Sequence, residues 1–241
     1  MRIPRIFTEQ ALVEGAVVAL EEGPSRHIGK VLRMQVGRAL ILFNGKGGEY
    51  QASISQVGKK VIEVEIREFS IASKQSPLNI ELAIGLSKGD RFDLVLQKAT
   101  ELGVSKIVPL LSQRSEVKLN PERLAKKLAS WRQIIVGACE QCQLNIVPTL
   151  CEPLKLDQWL RRCDSDLKLV LHHRSDGSLA DMPVPKSLSL LIGPEGGLNN
   201  EEIECAQSND FKALTLGPRV LRTETAPLAA ISLAQYLWGD F

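Results

Sequence analysis

Two glycine-proline turns, each placed directly after a short apolar run, are the part of the sequence best suited to bind a ligand. The runs Ser187–Ile192 and 212–216 end at Gly193-Pro194 and Gly217-Pro218, a pattern typical of buried parallel strands. Ligands of such sheets bind at the carboxyl ends of the strands, and a glycine without a Cβ lets them approach the backbone. We therefore predict a binding site made largely of main-chain amides and carbonyls.

The same stretch argues against two common phosphate sites. An ATP-binding P-loop ends in Gly-Lys-Ser/Thr, which is absent here, and Glu195 inside the loop would repel a triphosphate. Residues 193–197, Gly-Pro-Glu-Gly-Gly, also lack the G-x-G-x-x-G spacing of a dinucleotide site. Tight turns without a ligand are the alternative. Two of them at successive strand ends, the second followed by Arg219 and Arg222, count against it.

The composition is that of an ordinary globular protein. Of 241 residues, 44% are hydrophobic and 24% charged, and no apolar run reaches the roughly 18 to 20 residues of a membrane span. The amino terminus lacks the apolar segment of a secretion signal and the cysteines number five, so we expect a cytoplasmic protein with free thiols. The net charge of +2 would not by itself indicate RNA binding.

The first 70 residues have the pattern of an all-β domain. Apolar runs separated by turn residues predict strands at 16–20, 38–44, 49–56 and 61–68. The last run alternates apolar and charged side chains, which is the period of a half-buried strand. We predict a small β-barrel interrupted by one helix at 25–34. Residues 70–77 are polar, end in proline and form the predicted linker.

From residue 78 onwards, strands and helices alternate, which predicts a parallel α/β sheet. Apolar runs predict strands at 80–84, 107–111, 169–171, Ser187–Ile192 and 213–216. Helical periodicity predicts helices at 89–102, from Asn120 to Cys142, from Asn199 onwards and at Thr225–Trp238. Asn199 and Glu202 have the spacing of a capping box.

Two pairs that resemble metal or redox motifs are interpreted as neither. Cys139 and Cys142 form a lone C-x-x-C late in a helix, whereas redox pairs begin helices and zinc needs further ligands. His172 and His173 are adjacent on a strand, so their side chains point to opposite faces and cannot share one ion. We expect packing or interface cysteines and no metal.

Motifs spread over nearly the whole chain are shared with one protein family. They are Ile192-Gly193-Pro194-Glu195-Gly196-Gly197 and residues 216–226 (LGPRVLRTETA), together with Arg2-Ile3-Pro4-Arg5, 27–33 (HIGKVLR), 101–104 (ELGV) and 138–142 (ACEQC). In order and spacing the chain resembles the RsmE-type ribosomal RNA methyltransferases of the SPOUT superfamily.

The resemblance implies an α/β protein with two domains. Residues 1–72 would form a PUA-like, RNA-facing β-barrel, and residues 73–241 a SPOUT domain with a parallel sheet. In SPOUT domains the carboxyl-terminal segment passes through a loop as a trefoil knot, here at about 169–226, which local patterns cannot reveal. The resemblance also implies S-adenosylmethionine as methyl donor, nitrogen-3 of a uridine in the 16S rRNA of the small ribosomal subunit as acceptor, and a homodimer. Trp131 and residues 138–142 are candidate dimer contacts, although a sequence does not distinguish an interface stripe from a core one.

The resemblance and the strand-end rule together assign residues to each role. The cofactor would be bound by Leu171, His172, Ile192, Gly193, Glu195, Gly196, Gly197, Leu216, Gly217, Leu221, Arg222 and Thr225. The RNA would be contacted by Arg2, Arg5, His27, Lys30, Arg33 and Arg114. Solvated surface charge is the alternative for the amino-terminal arginines.

Arg222 and Glu224 are the predicted catalytic residues. The imide N–H of uridine is a poor nucleophile until its proton leaves, and a guanidinium can donate two hydrogen bonds to the uracil carbonyl that gains negative charge. Glu224 is the nearest candidate for a general base, and Glu195 is another. The structural alternatives are a helix cap for Glu224 and a turn residue for Glu195.

Two other functions stay open. A noncatalytic RNA-binding or ribosome-assembly factor could share both domains, although the intact Arg222-Thr223-Glu224 run argues against it. A SPOUT methyltransferase could also act on tRNA or at another position, since specificity is a difference of affinities that no motif fixes.

Overall fold

The computed structural model describes residues 3–71, 73–87, 89–114, 120–172, 179 and 182–241. The chain divides into two compact units. Unit 1 comprises Met1–Gln75 and Cys139–Val147, and unit 2 comprises Ser76–Ala138 and Pro148–Phe241. Residues 139–147 therefore belong to unit 1 together with the amino-terminal segment. The predicted domain of residues 1–72 does not include them.

Unit 1 is built on a five-stranded sheet. Its strands are Arg5–Phe7 (β1), Val17–Ala19 (β2), Ala39–Phe43 (β3), Glu49–Val57 (β4) and Ile62–Ser70 (β5). The order is β1-β3-β4-β5-β2, with β1 parallel to β3 and the other pairs antiparallel. The predicted alternation in β5 is confirmed, because Ile62, Val64 and Ile66 are buried while the side chains between them are less buried. Strand β1 was not predicted, since three residues after a proline carry no period.

The predicted helix at 25–34 is replaced by two shorter pieces. An α-helix covers Glu22–Arg26 (α1) and continues as a single π-helical turn over His27–Val31. The helix begins earlier than predicted, at Glu22. Pro24 is compatible with this start, since it lies in the first turn, where proline is tolerated. In the π turn the Leu32 N–H donates to the His27 carbonyl at 2.9 Å, five residues back. Turns of this kind are frequent at functional sites.

Arg5 is a buried structural residue of unit 1. Its side chain is 4% exposed and pairs with Glu49 at 2.7 Å. Its second terminal nitrogen donates to Asn145, and its guanidinium carbon lies 5.3 Å from the centre of the Phe43 ring. Both the predicted RNA contact and the alternative of a solvated surface charge are wrong for Arg5, because either would require an exposed guanidinium. Arg5 instead ties residues 139–147 to the sheet.

Unit 2 is built on a seven-stranded, wholly parallel sheet. Its strands are Asn79–Gly85 (β6), Lys106–Leu111 (β7), Thr149–Leu150 (β8), Leu154–Lys155 (β9), Leu167–Leu171 (β10), Ser187–Ile192 (β11) and Lys212–Leu214 (β12). The order is β12-β10-β11-β6-β7-β8, and β9 also pairs with β7. The prediction of a parallel α/β sheet is confirmed. The two-residue strands β8 and β9 were missed because they are too short for a period.

Helices connect the strands of unit 2. They are Asp90–Glu101 (α2), Pro121–Cys142 (α3), Leu156–Leu160 (α4), Asn200–Gln207 (α5) and Thr225–Trp238 (α6), and the division between the units falls within α3. The predicted start of α3 is confirmed, since the Asn120 side chain accepts the Arg123 N–H at 2.8 Å. Among the described residues, no helix is both long and apolar enough to cross a membrane.

Two residues of α3 that were candidates for other roles are buried. Trp131 is 4% exposed, packs against Phe92 with ring centres 4.7 Å apart and donates its indole N–H to Asp93. Trp131 therefore belongs to the core of unit 2 and is not available as a dimer contact. Burial raises the pKa of the Cys139 thiol to about 12, which keeps it protonated and unreactive at neutral pH.

We predict that Arg5→Met lowers the free energy of unfolding of unit 1 by about 2–4 kcal/mol, because Glu49 and Asn145 each lose the hydrogen bond that the buried guanidinium donates to them. Amide hydrogen exchange of β3 and β4 would measure the change. Arg67→Met is the control, since Arg67 and Glu65 are exposed and 3.9 Å apart. We expect this control to cost less than about 0.5 kcal/mol.

The effect of Arg5→Met should also depend on pH. Burial alone would raise the pKa of Glu49, but the hydrogen bonds from Arg5 and Asn145 outweigh burial and hold it below its usual value of 4.5. A lowered carboxyl pKa contributes stability that is present above the unfolded-state pKa and is lost as pH falls through the folded-state pKa. The difference between wild type and Arg5→Met should shrink in acid. A constant difference from about pH 7 to about pH 3 would contradict this account.

Candidate functional site

The carboxyl ends of three neighbouring parallel strands meet at one cavity of unit 2. Strand β10 lies between β11 and β12, so the segments that follow all three leave the sheet at the same edge. The end of β10, the loop after β11 and the loop after β12 line a cavity of about 440 Å³. The convergence that the sequence predicts is therefore observed.

The loop after β11 closes into a tight turn that only glycine permits. The Gly197 N–H donates to the Pro194 carbonyl at 2.8 Å, and Gly197 has a left-handed backbone with φ of 67°. A Cβ on Gly193 would lie 2.7 Å from the Leu198 nitrogen, closer than such atoms approach in proteins. Without side chains at these positions, the main chain of the loop faces the cavity directly.

A polar network joins this loop to its neighbours. Arg114, in the loop after β7, donates through Nη1 to the Gly196 carbonyl at 2.7 Å. The buried Glu202 carboxylate accepts N–H groups from Asn199 and from Gln113, each at 2.9 Å. The Asn199 side chain in turn accepts the Glu202 N–H at 2.8 Å, which confirms the predicted capping box at α5. The loops after β7 and β11 are thus fastened to one helix start.

His172 is held by its main chain on the opposite wall. Its N–H donates to the Leu214 carbonyl at 2.9 Å, and its carbonyl accepts the Thr215 hydroxyl at 2.7 Å. These bonds link the segment after β10 to the segment after β12. His173, the second histidine of the pair, lies outside the described residues.

Arg222 and Glu224 lie where the third loop enters helix α6. The Arg222 carbonyl accepts the N–H groups of Thr225 and Ala226 at 2.9 Å each, which starts the helix. Its neighbours Leu221 and Thr223 line the cavity, whereas the Arg222 side chain is 76% exposed and is not part of the lining. The guanidinium therefore lies beside the cavity and is open to solvent.

Glu224 has a carboxylate oxygen that lacks a partner. Its side chain is 16% exposed, and its Oε1 lies 3.9 Å from Arg222 Nη1. Its Oε2 is buried and accepts no hydrogen bond within the described part of the chain. Glu224 occupies the N-cap position of α6, as the structural alternative expects, but its side chain makes no capping hydrogen bond to the helix. Glu195, the other candidate base, lies 3.7 Å from Arg91.

The structure brings most of the predicted cofactor residues together. The cavity is lined by Leu171, His172, Ile192, Gly193, Glu195, Gly196, Gly197, Leu216, Gly217 and Leu221. The predicted cofactor residues Arg222 and Thr225 are not among the lining residues. Whether the lining residues bind a cofactor stays a prediction.

Sequence reasoning missed another set of lining residues, which are Pro194, Leu198, Asn200, Ile203, Leu214, Thr215, Arg219, Val220, Thr223 and Ala226. Most of them neighbour predicted residues and could have been found by extending each loop. Asn200 and Ile203 are three apart on α5, a helical spacing that would have revealed the face of α5 turned towards the cavity.

The predicted RNA residues are distributed over both units. Arg114 lines the cavity of unit 2, Arg2 lies outside the described residues, and Arg5 is buried. Lys30 and Arg33 are exposed on unit 1, where Arg33 ends the helical segment with φ of 49°, and His27 is half-buried there.

The chemistry of the lining favours a ligand that carries charges of both signs. Arg114 and Arg219 are the cationic lining residues and Glu195 is the carboxylate, while the remaining lining is apolar, neutral or main chain. Within the described ranges, no three His, Cys, Asp or Glu side chains are placed to hold a metal ion. Among the described lining residues, a polyphosphate would find one carboxylate and no lysine.

Two family models match the chain. Residues 74–235 match an RNA methyltransferase domain, and residues 22–67 match an RNA methyltransferase PUA domain. The ribosomal RNA small subunit methyltransferase E of Buchnera aphidicola is 32% identical, covering 100% of this chain and 96% of that protein. The protein of the same name from Bacillus subtilis is 33% identical, covering 95% and 94% respectively.

Solved structures resemble the whole chain. A Legionella pneumophila protein in complex with the cofactor SAM is 44% identical, with a TM-score of 0.98 and full coverage of both chains. The ribosomal RNA small subunit methyltransferase E of Neisseria gonorrhoeae, bound to S-adenosyl methionine, is 39% identical, with a TM-score of 0.94 and full coverage of both chains.

The hydrogen bond from Arg114 to the Gly196 carbonyl should restrain the loop after β11, and removing it tests this. Arg114→Ala removes the donor to the Gly196 carbonyl, and we expect amide exchange at 195–198 to become roughly threefold to tenfold faster, since an exposed hydrogen bond from a charged donor contributes about 1 kcal/mol. Arg123→Ala, an exposed arginine at the start of α3, is the matched control. Equal exchange in both variants would show that Arg114 does not hold the loop.

Proposed function

The chain belongs to the ribosomal RNA small subunit methyltransferase E family, and we propose that it methylates nitrogen-3 of a uridine in 16S rRNA, with S-adenosylmethionine as the methyl donor. The observation that carries this proposal is the cavity at the ends of β10, β11 and β12, with Arg222 beside its rim. An RNA-binding or assembly factor without activity would need neither feature.

The residues of the cavity fit S-adenosylmethionine. Its volume of about 440 Å³ lies within the range of about 300–1,000 Å³ that is usual for small-molecule sites. Main-chain groups of the loop at 193–197 and of the segment after β12 would hold the adenosine and ribose, and Leu171, Ile192 and Leu216 would pack against the flat base. The carboxylate and guanidinium groups of the lining match the ammonium, sulfonium and carboxylate charges of the donor. When bound, the donor supplies an electrophilic methyl group on a sulfonium.

The contribution of the protein is then to position the acceptor base. Alignment of reacting groups can lower a barrier by about 7–11 kcal/mol in well-oriented cases. Arg222 stands between the lining residues Leu221 and Thr223 in the sequence and its guanidinium is exposed, so it can meet a base that arrives from solution at the cavity mouth. It would donate hydrogen bonds to a uracil carbonyl and stabilise the negative charge that forms as the proton leaves nitrogen-3.

Glu224 is the carboxylate that we assign to this proton. Glu195 is engaged with Arg91, whereas Glu224 has a buried oxygen without a partner in the described part of the chain. A buried polar atom left unpaired costs about 1–3 kcal/mol, and accepting a proton would relieve that cost. Its other oxygen lies 3.9 Å from Arg222, so that both groups would act on one base.

Several finer features of the family belong to the same proposal. The sheet of unit 1 would be a PUA-like barrel that contacts RNA through His27, Lys30 and Arg33, and the chain would be knotted at about 169–226. The domains would be divided at residues 72 and 73, and the enzyme would act in the cytoplasm, where ribosomal RNA is modified.

We also propose a homodimer. On helix α6, Leu233, Tyr236 and Leu237 are 45%, 72% and 39% exposed and are spaced three and four residues apart, so they share one face. Exposed apolar faces of this kind mark association surfaces. A second copy of the chain would cover this face.

Small ribosomal subunits from cells that lack the enzyme provide the direct test of function. We expect the purified protein and S-adenosylmethionine to methylate one uridine of their 16S rRNA at nitrogen-3, located by mass spectrometry of nuclease fragments. Free 16S rRNA and tRNA are the comparison substrates. Methylation of tRNA alone, or binding of RNA without any methyl transfer, would contradict the proposal.

Arg222→Ala should separate cofactor binding from turnover. Because Arg222 is not part of the cavity lining, the affinity for S-adenosylmethionine measured by calorimetry should stay within about twofold. Turnover should fall by roughly 10²- to 10³-fold, the usual cost of removing one donor to a developing oxyanion. Lys126→Ala, on the exposed face of α3, is the control for loss of one positive charge. Unchanged turnover in Arg222→Ala would remove Arg222 from the mechanism.

A further inference from the structure

Unit 1 contains a cavity of about 500 Å³ that the proposed function leaves unused. It lies between helix α1 with its π turn on one side and the turn that joins β4 to β5 on the other. Its charged lining residues are Arg26, Lys30, Lys59, Lys60 and Glu22, and we call it the basic cavity. Lys30 alone among its cations belongs to the predicted RNA contacts.

The walls of the basic cavity are fixed to each other by buried contacts. The Ser25 hydroxyl donates to the Leu20 carbonyl at 2.9 Å and accepts the Ile62 N–H at 3.1 Å, so it joins α1 to the start of β5. Gly29 lies so close to β5 that a Cβ there would be 3.3 Å from Ile62 Cδ1. The cavity is therefore present before any ligand binds.

Each wall presents two cations side by side. Gly58 makes the tight turn between β4 and β5, because its N–H donates to the Val61 carbonyl at 2.9 Å and a Cβ would lie 2.7 Å from that oxygen. This turn presents the consecutive residues Lys59 and Lys60. Arg26 and Lys30 lie four residues apart along the helical segment and share a face on the other wall.

The cations of the basic cavity outnumber the carboxylates in its described lining. Glu22 is the single carboxylate among the lining residues, against four cationic side chains. None of the four forms an ion pair with a carboxylate in the ranges that the structure describes. Four like charges around one cavity repel each other, and an anionic ligand that spans both walls would relieve that repulsion.

We infer that the basic cavity binds the sugar-phosphate backbone of RNA. This inference rests on the proposed function for the identity of the polyanion and adds a second anchoring point to it. Three of the four cations are lysines, which bind phosphate as point charges and do not distinguish bases. Val57 and Val61, 42% and 43% exposed, provide the apolar surface for ribose. The described lining contains no aromatic side chain on which a base could stack, so the contact would be independent of sequence.

The double variant Lys59→Gln/Lys60→Gln of the full chain tests the inference. Fluorescence anisotropy with a labelled fragment of 16S rRNA should show a Kd about tenfold higher than that of wild type. The slope of log Kd against log salt should fall by about 2, one for each lost phosphate contact. In methylation assays the KM for RNA should rise while kcat and the affinity for S-adenosylmethionine stay unchanged. Arg26→Gln, on the other wall, should act in the same direction.

Lys126→Gln/Arg161→Gln is the matched control. It removes the same charge from exposed residues that already pair with carboxylates on their own helices, Glu122 and Asp157. A Kd and salt slope for Lys59→Gln/Lys60→Gln equal to those of this control would overturn the inference. Displacement of the RNA from wild type by micromolar concentrations of a mononucleotide would also overturn it, because the cavity would then be a nucleotide site. If the double variant loses RNA affinity as expected while the wild-type protein transfers no methyl group, the proposed function is refuted and the inference is supported.

Discussion

The close approach of the backbone to itself in the loop after β11 is the constraint on which the site depends. Gly193 lies so near the Leu198 nitrogen that a Cβ has no room, and Gly197 turns the chain in a left-handed conformation. Because the loop closes without side chains at these positions, its amides and carbonyls are left to face the cavity. A ligand recognised by main-chain groups needs this kind of surface, and the parallel sheet brings the ends of β10 and β12 to the same place.

The polar contacts around the loop convert this turn into a rigid wall. The buried Glu202 carboxylate accepts the N–H of Gln113 in the loop after β7 and the N–H of Asn199, the second of which is a capping-box bond of α5, so a single carboxylate joins both loops to the helix. Arg114 reaches the same loop from the end of β7. The catalytic candidates lie on the third loop, where Arg222 starts helix α6 through its carbonyl and keeps its guanidinium in solvent. An enclosed cavity with an exposed arginine beside it suits methyl transfer, since the methyl donor needs enclosure and the RNA base must arrive from solution.

Periodicity and turn chemistry predicted most of the fold, because strands such as β11 and helices such as α6 carry their full pattern in the sequence. The same reasoning predicted the cavity, because parallel strands must end at one edge. It failed for Arg5, since a buried arginine and an exposed one look alike until the partners Glu49 and Asn145 are placed by the fold. It also could not tell that Arg222 is not part of the lining while Leu221 and Thr223 contribute to it. In an irregular loop the sequence has no periodic pattern from which the direction of a side chain could be predicted.

A crystal structure of the protein grown with S-adenosylmethionine would show directly where the methyl donor binds. We expect the donor inside the cavity of unit 2, with its polar atoms hydrogen-bonded to the main chain of residues 193–197 and of the segment after β12, and with its methyl group facing the side on which Arg222 lies. A donor bound elsewhere, or one held mainly by charged side chains while the glycine loop makes no contact, would contradict it.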